Sequence, residues 1–213
     1  MEATRIIAIR HGETAWNVDA RIQGQLDIPL NDHGHWQAQR LGRALAASEQ
    51  FAAVYSSDLL RARDTAKLIA TAVGQRTVTE PGLRERSFGT FQGQTFAELE
   101  QRWPEQTAMW RQRDPQWAPP QGESLAALQD RVLRTTNTLA ACHLGQQIVL
   151  VAHGGVLDVL YRTAIGVDLR APRAWDLGNA SINRLLWTPQ GLTLICWSDT
   201  AHLDDEWQDE ATA

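Results

Sequence analysis

Two short apolar runs, far apart in the chain, end in the same way. Ile6-Ile7-Ala8-Ile9 leads into Arg10-His11-Gly12, and Ile148-Val149-Leu150-Val151-Ala152 leads into His153-Gly154-Gly155. Continuous β-branched runs without polar alternation read as strands buried on both faces, the habit of parallel sheets covered by helices on each side. In such sheets ligands gather at the carboxyl ends of the strands. The two runs therefore predict two imidazoles, each followed by glycine, projecting into a crevice above a sheet.

The rest of the pattern supplies the other layers. Residues 34–48 hold Leu41, Ala44, Leu45 and Ser48 at helical spacing, and residues 51–55 read as a strand. Ser57 or Asp58 is placed to cap a helix with an inner stripe of Ala62, Ala66, Ile69, Ala70 and Val73, closed by Gly74. A short strand is expected near residues 76–79. Thr95 with Glu98 forms a capping box opening a helix that carries Phe96, Leu99 and Trp103 and stops at Pro104. Residues 104–123, rich in Trp, Gln, Arg and Pro, read as an irregular helical excursion. Ser124 opens a helix with Leu125, Leu128, Val132 and Leu139 inward, and Val156, Leu160 and Ala164 mark another after His153-Gly154. Residues 182–187 and 192–197 flank Thr188-Pro189-Gln190-Gly191 as an antiparallel hairpin. The expected fold is an α/β three-layer sandwich, mainly parallel, with helices on both faces and a C-terminal antiparallel hairpin. Residues 1–213 suit one domain, with 90–123 as a candidate lid.

Composition narrows the partners. With 25 acidic against 20 basic residues and a net charge of -5, the chain lacks the basic stripe of a nucleic-acid binder, so an anionic ligand needs local positive charge. Asp158, Arg162 and Gly154 interrupt the longest apolar stretches, which argues against a membrane span, and residues 1–10 lack the features of a signal peptide. Cys142 and Cys196 lie in apolar stretches and read as small buried core residues, in keeping with a reducing cytoplasm. The six histidines show no metal-site spacing, so no metal and no cofactor are expected.

The local charge is at Arg10 and Arg61. Arg10 sets a guanidinium, whose planar fork matches phosphate oxygens, beside the His11 imidazole, a competent nucleophile near neutral pH once its tautomer is fixed. Gly12 leaves room for a close backbone approach to a ligand. Arg61 falls in the first turn of its helix, where the macrodipole disfavours a cation, and this points to an anionic guest at that helix end. Arg63 reads as a solvated surface charge.

These residues belong to a larger pattern. Arg10-His11-Gly12-Glu13-Thr14, Asn17, Arg21-Ile22-Gln23-Gly24, Ser56 to Ala62 with Thr65, Leu83-Arg84-Glu85 before Phe88-Gly89, Gly122-Glu123-Ser124 and His153-Gly154 together resemble the histidine phosphatase superfamily, in its phosphoglycerate-mutase-like branch. The resemblance runs in order from Ile6 to about His202. It implies that His11 is the nucleophile, that Arg10, Arg61 and His153 bind the phosphoryl oxygens, and that Glu85 is the proton donor and later the base. It also implies that Asn17, Gln23, Gly24 and Gly154 line the pocket, that no metal is needed and that the partner is a small phosphomonoester.

Several assignments stay open at this point. His33, His35 and His143 read as surface groups, and His202 is balanced between the pocket and the surface. Trp103, Trp110 and Trp117 recur every seven residues, but Pro104 and Pro115 break any continuous stripe. Packing against the sheet and a lid over the pocket are the two readings. For activity, a phosphatase leads. A phosphoglycerate mutase is the rival, weakened because between Phe88 and Ser124 the only charge offered to a second anionic group is on Arg102, Arg111 and Arg113. A catalytically silent interaction protein on the same fold is the third reading.

Overall fold

The computed structural model describes residues 2–48 and 50–204. Strands β1 (Thr4–Arg10), β2 (Ala53–Ser56), β3 (Thr77–Thr79), β4 (Gln147–Ala152), β5 (Ile182–Thr188) and β6 (Gly191–Asp199) form one sheet in the order β3-β2-β4-β1-β5-β6. The first four run parallel, whereas β5 is antiparallel to β1 and β6 to β5.

Alternation along the strands builds two cores. Ile6 and Ala8 join Ile148, Leu150 and Ala152 against α6 (Leu125–Ala141) and α7 (Gly154–Ile165), through Leu128, Val132, Val156 and Leu160. Ile7 and Ile9 join Val149, Val151 and Val54 against α2 (Asp32–Ser48) and α3 (Leu60–Ala72), through Leu41, Leu45, Ala66 and Ile69. Each large aliphatic side chain so buried contributes about 1.5–3 kcal/mol. The expected layers are therefore present, and every residue of β4 is buried.

Helix ends depart from the sequence reading where a residue other than the expected one supplies the cap. Helix α2 begins at Asp32, two residues early, because the Asn31 side chain accepts from Gly34 N at 2.7 Å. Neither Ser57 nor Asp58 caps α3. The N-cap position is Leu59, and Leu60 N donates instead to Asp27 Oδ1 at 2.7 Å, from a loop 33 residues away. Asp58 is drawn off by Arg84, which it grips at 2.7 and 2.6 Å. The capping box of α4 (Phe96–Arg102) and the Ser124 cap of α6 are both observed. Within the expected irregular helical excursion, residues 104–111 form a regular helix, α5 (Pro104–Arg111), since Pro104 at its first turn needs no N–H partner.

The cysteines are not core residues. Cys142 is exposed at the carboxyl cap of α6, one step beyond the last inward turn, and Cys196 is half-buried on the edge strand β6. The three tryptophans converge although no single helix carries them. Trp103, Trp110 and Trp117 surround the buried Phe91 ring at centroid distances of 5.8, 5.6 and 6.2 Å. Among the described residues, no helix is long and apolar enough to cross a membrane.

Candidate active site

The parallel pairing of β1 with β4 sets Arg10 opposite Ala152, and His11 N donates to Ala152 O at 3.0 Å, one step past the strand end. His11 and His153 thus leave neighbouring strands at the same level, with ring centroids 5.2 Å apart. Both are buried. His11 Nδ1 lies 2.7 Å from the carbonyl of Gly12, which can only accept, so Nδ1 carries the proton and Nε2 keeps its lone pair. Gly12 N donates to Thr65 Oγ1 at 3.0 Å, and that hydroxyl donates to Arg61 O at 2.8 Å, tying the loop after β1 to α3. The close approach that requires Gly12 is to protein: a Cβ there would lie 2.5 Å from Gly34 O.

Arg61 reaches the same point from α3. Its Nε donates to His11 Nε2 at 3.2 Å, while its terminal nitrogens hold the carbonyls of Leu26 at 2.8 Å and Gly24 at 2.7 Å. Arg10 donates through Nη1 to Leu177 O, and its Nε has no hydrogen-bond partner among the described residues. Neither ring nitrogen of the fully buried His153 has one either. Buried donors of this kind are costly unless a ligand meets them.

Glu85 faces this group. Both carboxylate oxygens accept from Gly155 N at 3.1 Å, at the amino end of α7, and Oε1 also accepts from Arg86 N at 2.7 Å. A Cβ on Gly155 would stand 2.3 Å from Glu85 Oε1, so this glycine admits the carboxylate. A Cβ on Gly154 would lie 3.8 Å from both Arg10 Nε and Glu85 Oε2, which places Gly154 between them. Arg10, Glu85, Gly154 and Gly155 line a cleft of about 400 Å³, together with Arg86, Trp110, Arg113 and Asp158. Trp110 and Arg113 come from the 90–123 segment, so that segment both packs on Phe91 and contributes to the cleft wall.

The other sequence-derived candidates divide. Asn17 closes a capping box with Thr14 at the start of α1 (Ala15–Val18), its Oδ1 accepting from Thr14 N at 3.1 Å. Gln23 is buried with Oε1 unpartnered among the described residues, and Gly24 contributes the carbonyl that holds Arg61. His202 is not brought to the cleft. It sits beside Arg40 and Arg43 on α2, and its carbonyl accepts from Arg40 Nε at 3.1 Å. His143 meets the Tyr55 hydroxyl at 2.9 Å, and His33 lies 3.2 Å from Glu13, so neither is a simple surface group. Sequence reasoning missed Asn179, whose Nδ2 donates to His11 O at 2.9 Å, and Arg86, a buried cation on the cleft wall. Arg86 directly follows Glu85, and that adjacency was the one available signal.

Burial, reinforced by Arg61 and Arg10, pushes the His11 value well below the ordinary imidazole range, with the Gly12 carbonyl opposing. His153 is pushed the same way by burial, Arg61 and His11. Arg61 is lowered by burial to about 10, still cationic at neutral pH. In the unfolded chain both histidines titrate near about 6.5, so below that pH the unfolded chain binds more protons than the native one. The two histidines therefore contribute stability that is complete above about pH 6.5 and lost as pH falls further towards their native values. Tm is expected to decline on acidification from neutrality, and less steeply in His153→Asn. Equal slopes in the two proteins would assign the acid sensitivity to other groups.

Comparison with known proteins finds relatives along nearly the whole chain. Residues 6–200 match the model of the histidine phosphatase superfamily (branch 1). The chain is 38% identical to phosphoglycerate mutase-like protein 4 of Arabidopsis thaliana, over 96% of this chain and 89% of that protein. It is also 38% identical to the metal-independent phosphoserine phosphatase of Arabidopsis thaliana, over 95% and 84% of the two chains. The solved mycobacterial glucosyl-3-phosphoglycerate phosphatase superposes with a TM-score of 0.83 at 31% identity, covering 93% of this chain and 100% of its own. With both the ordered motifs and the fold shared along nearly its whole length, this chain belongs to the histidine phosphatase superfamily.

Proposed function

We propose that the chain hydrolyses small phosphomonoesters through a phosphohistidine on His11. In the first step Nε2 of His11 attacks phosphorus, the ester P–O bond breaks and Glu85 gives its proton to the departing oxygen. In the second, water attacks phosphorus, gives a proton back to Glu85 and releases inorganic phosphate as the P–N bond breaks. Arg10, Arg61 and His153 neutralise and orient the phosphoryl oxygens, the part that a metal ion plays in other phosphoryl transfer.

The observation that carries this reading is the fixed tautomer of His11. Its Nδ1 is committed to the Gly12 carbonyl, and its Nε2 lone pair faces Arg61. The phosphatase is preferred to a mutase because the cationic residues of 90–123 are mostly engaged elsewhere. Arg111 pairs with Glu100 and Arg102 donates to Gln94 at 3.2 Å, which leaves Arg113 of that segment on the cleft wall, beside Arg173 and Arg86, whose Nε donates to Glu123 O at 2.7 Å. The test is phosphate release from nitrophenyl phosphate and 3-phosphoglycerate in excess EDTA, with vanadate as inhibitor. Release that survives chelation and is blocked by vanadate is expected. Loss of activity restored by one divalent ion would refute the metal-free site, and conversion of 3-phosphoglycerate to its 2-isomer without phosphate release would assign a mutase. No turnover of either substrate would leave the silent interaction protein.

A further inference from the structure

One part of the cleft wall is polar yet takes no part in the phosphoryl chemistry. Asp158 lies one turn beyond Gly154 on α7, about 6 Å along the helix axis, the reach of a short carbon chain from the phosphoryl site. It is 8% exposed and lines the cleft with Arg113 and Trp175. Its Oδ2 accepts from Arg162 Nε at 2.8 Å, and Arg113 Nη2 stands 3.5 Å from that same oxygen, too far for a good hydrogen bond. Oδ1 has no partner among the described residues, nor does Arg113 Nη2 or Trp175 Nε1. Arg162 Nη2, behind them, is unpartnered among the described residues as well, so one acceptor and three donors are left unmet in this cluster.

The side chains are held in place from behind. Arg162 is fully buried, bonded to Asp168 O at 2.6 Å and stacked under Trp175 with 4.6 Å from its guanidinium carbon to the ring centre. Arg113 Nε is fixed by Leu169 O at 3.0 Å, and the Arg113 backbone has φ of 52°, a left-handed conformation uncommon for a residue with a side chain. Such outliers concentrate at sites where a side chain must be aimed.

We propose that Asp158, Arg113 and Trp175 form a subsite that recognises hydroxyl groups of the substrate, so that the enzyme selects phosphate esters of polyhydroxy compounds. The inference deepens the phosphatase reading and rests on it. A hydroxyl both donates and accepts, and it can satisfy Asp158 Oδ1 and Arg113 Nη2 together, with Trp175 Nε1 available to a second oxygen. An ammonium only donates, and it would add a third cation to a carboxylate that already faces Arg162 and Arg113. A carboxylate only accepts: it could take the Arg113 and Trp175 donors, but it would leave Oδ1 unmet and set oxygen lone pairs against it.

The test compares kcat/KM of the whole protein on glycerol 3-phosphate, propyl phosphate and 3-aminopropyl phosphate, with nitrophenyl phosphate as the reference. Glycerol 3-phosphate is expected to exceed each of the other two by about tenfold or more, since a site built to bond a hydroxyl discriminates against analogues that lack it. In Asp158→Asn the amide oxygen should turn to Arg162 and present its NH2 where the hydroxyl needs an acceptor, erasing most of that preference. The ratio between variant and wild type also corrects for the differing leaving groups. Trp175→Phe, which removes only the indole N–H, should lower the preference if Asp158→Asn does not fold. Equal turnover of the glycerol and propyl esters, or a preference for the aminopropyl ester, by an enzyme active on nitrophenyl phosphate would overturn the subsite and leave the phosphatase reading standing. No release from nitrophenyl phosphate would overturn both.

Discussion

His11→Ala is expected to lower turnover by a factor on the order of 10⁴ or more and to abolish any phosphoenzyme, because the variant lacks the atom that forms the new bond. The expectation is sharper than the loss of one contact. Arg10, Arg61 and His153 would remain to bind the phosphoryl group, so substrate affinity should survive while chemistry fails. Acid-quenched wild-type enzyme should carry an acid-labile phosphate on the peptide that contains His11. Among the described residues, the imidazole of His153, 5.2 Å away between ring centres, is the neighbouring ring that could be phosphorylated in its place. A phosphate found there, or on a serine, cysteine or aspartate, would remove the central claim.

The second large effect is expected at Glu85. An alkyl alkoxide is a poor leaving group and needs a proton, whereas nitrophenolate departs without one. Glu85→Gln should slow single-turnover transfer from an alkyl phosphate by roughly a hundredfold or more, and from nitrophenyl phosphate much less. The second step loses its base as well, so phosphoenzyme should accumulate with the nitrophenyl substrate and give a burst. The geometry makes glutamine a fair probe. Its amide oxygen can still accept from Gly155 N and Arg86 N at the Oε1 position, so the change falls on Oε2, which gives up its own 3.1 Å contact with Gly155 N and lies 3.8 Å from the position a Gly154 Cβ would take beside Arg10. Equal slowing on both substrates, with no burst, would reduce Glu85 to a residue that shapes the pocket.

The sequence was most legible where one physical requirement left a local trace. Two-sided burial wrote itself into the runs at residues 6–9 and 148–152, and the neighbouring strand ends then followed. The capping box at Thr95 and the cap at Ser124 are likewise local, and both are observed. What the sequence hid came from distance. The α3 amino end is capped by Asp27, His11 O is held by Asn179, and His202 turns to Arg40, none of which any spacing along the chain records. Asp158 and Arg162 illustrate the same limit. In the sequence they only interrupt an apolar run, and the fold makes them a buried pair on the cleft wall. Family resemblance alone points to Glu85, and it is the acid that the fold sets against Gly155.

The place of β1 at the middle of the sheet bears on how the protein is made. Its two neighbours, β4 and β5, lie at residues 147–152 and 182–188, so β1, made well before either, has both edges unpaired until most of these residues exist. At bacterial to eukaryotic elongation rates of about 5–20 residues per second, that wait lasts roughly 10–40 s. Throughout it Ile6-Ile7-Ala8-Ile9 is an apolar ribbon with open hydrogen-bonding edges, the kind of segment that aggregates or engages chaperones. No co-translational fragment that lacks β4 can bring His153 to His11, so such fragments, however compact, also lack the Gly155 N–H that seats Glu85.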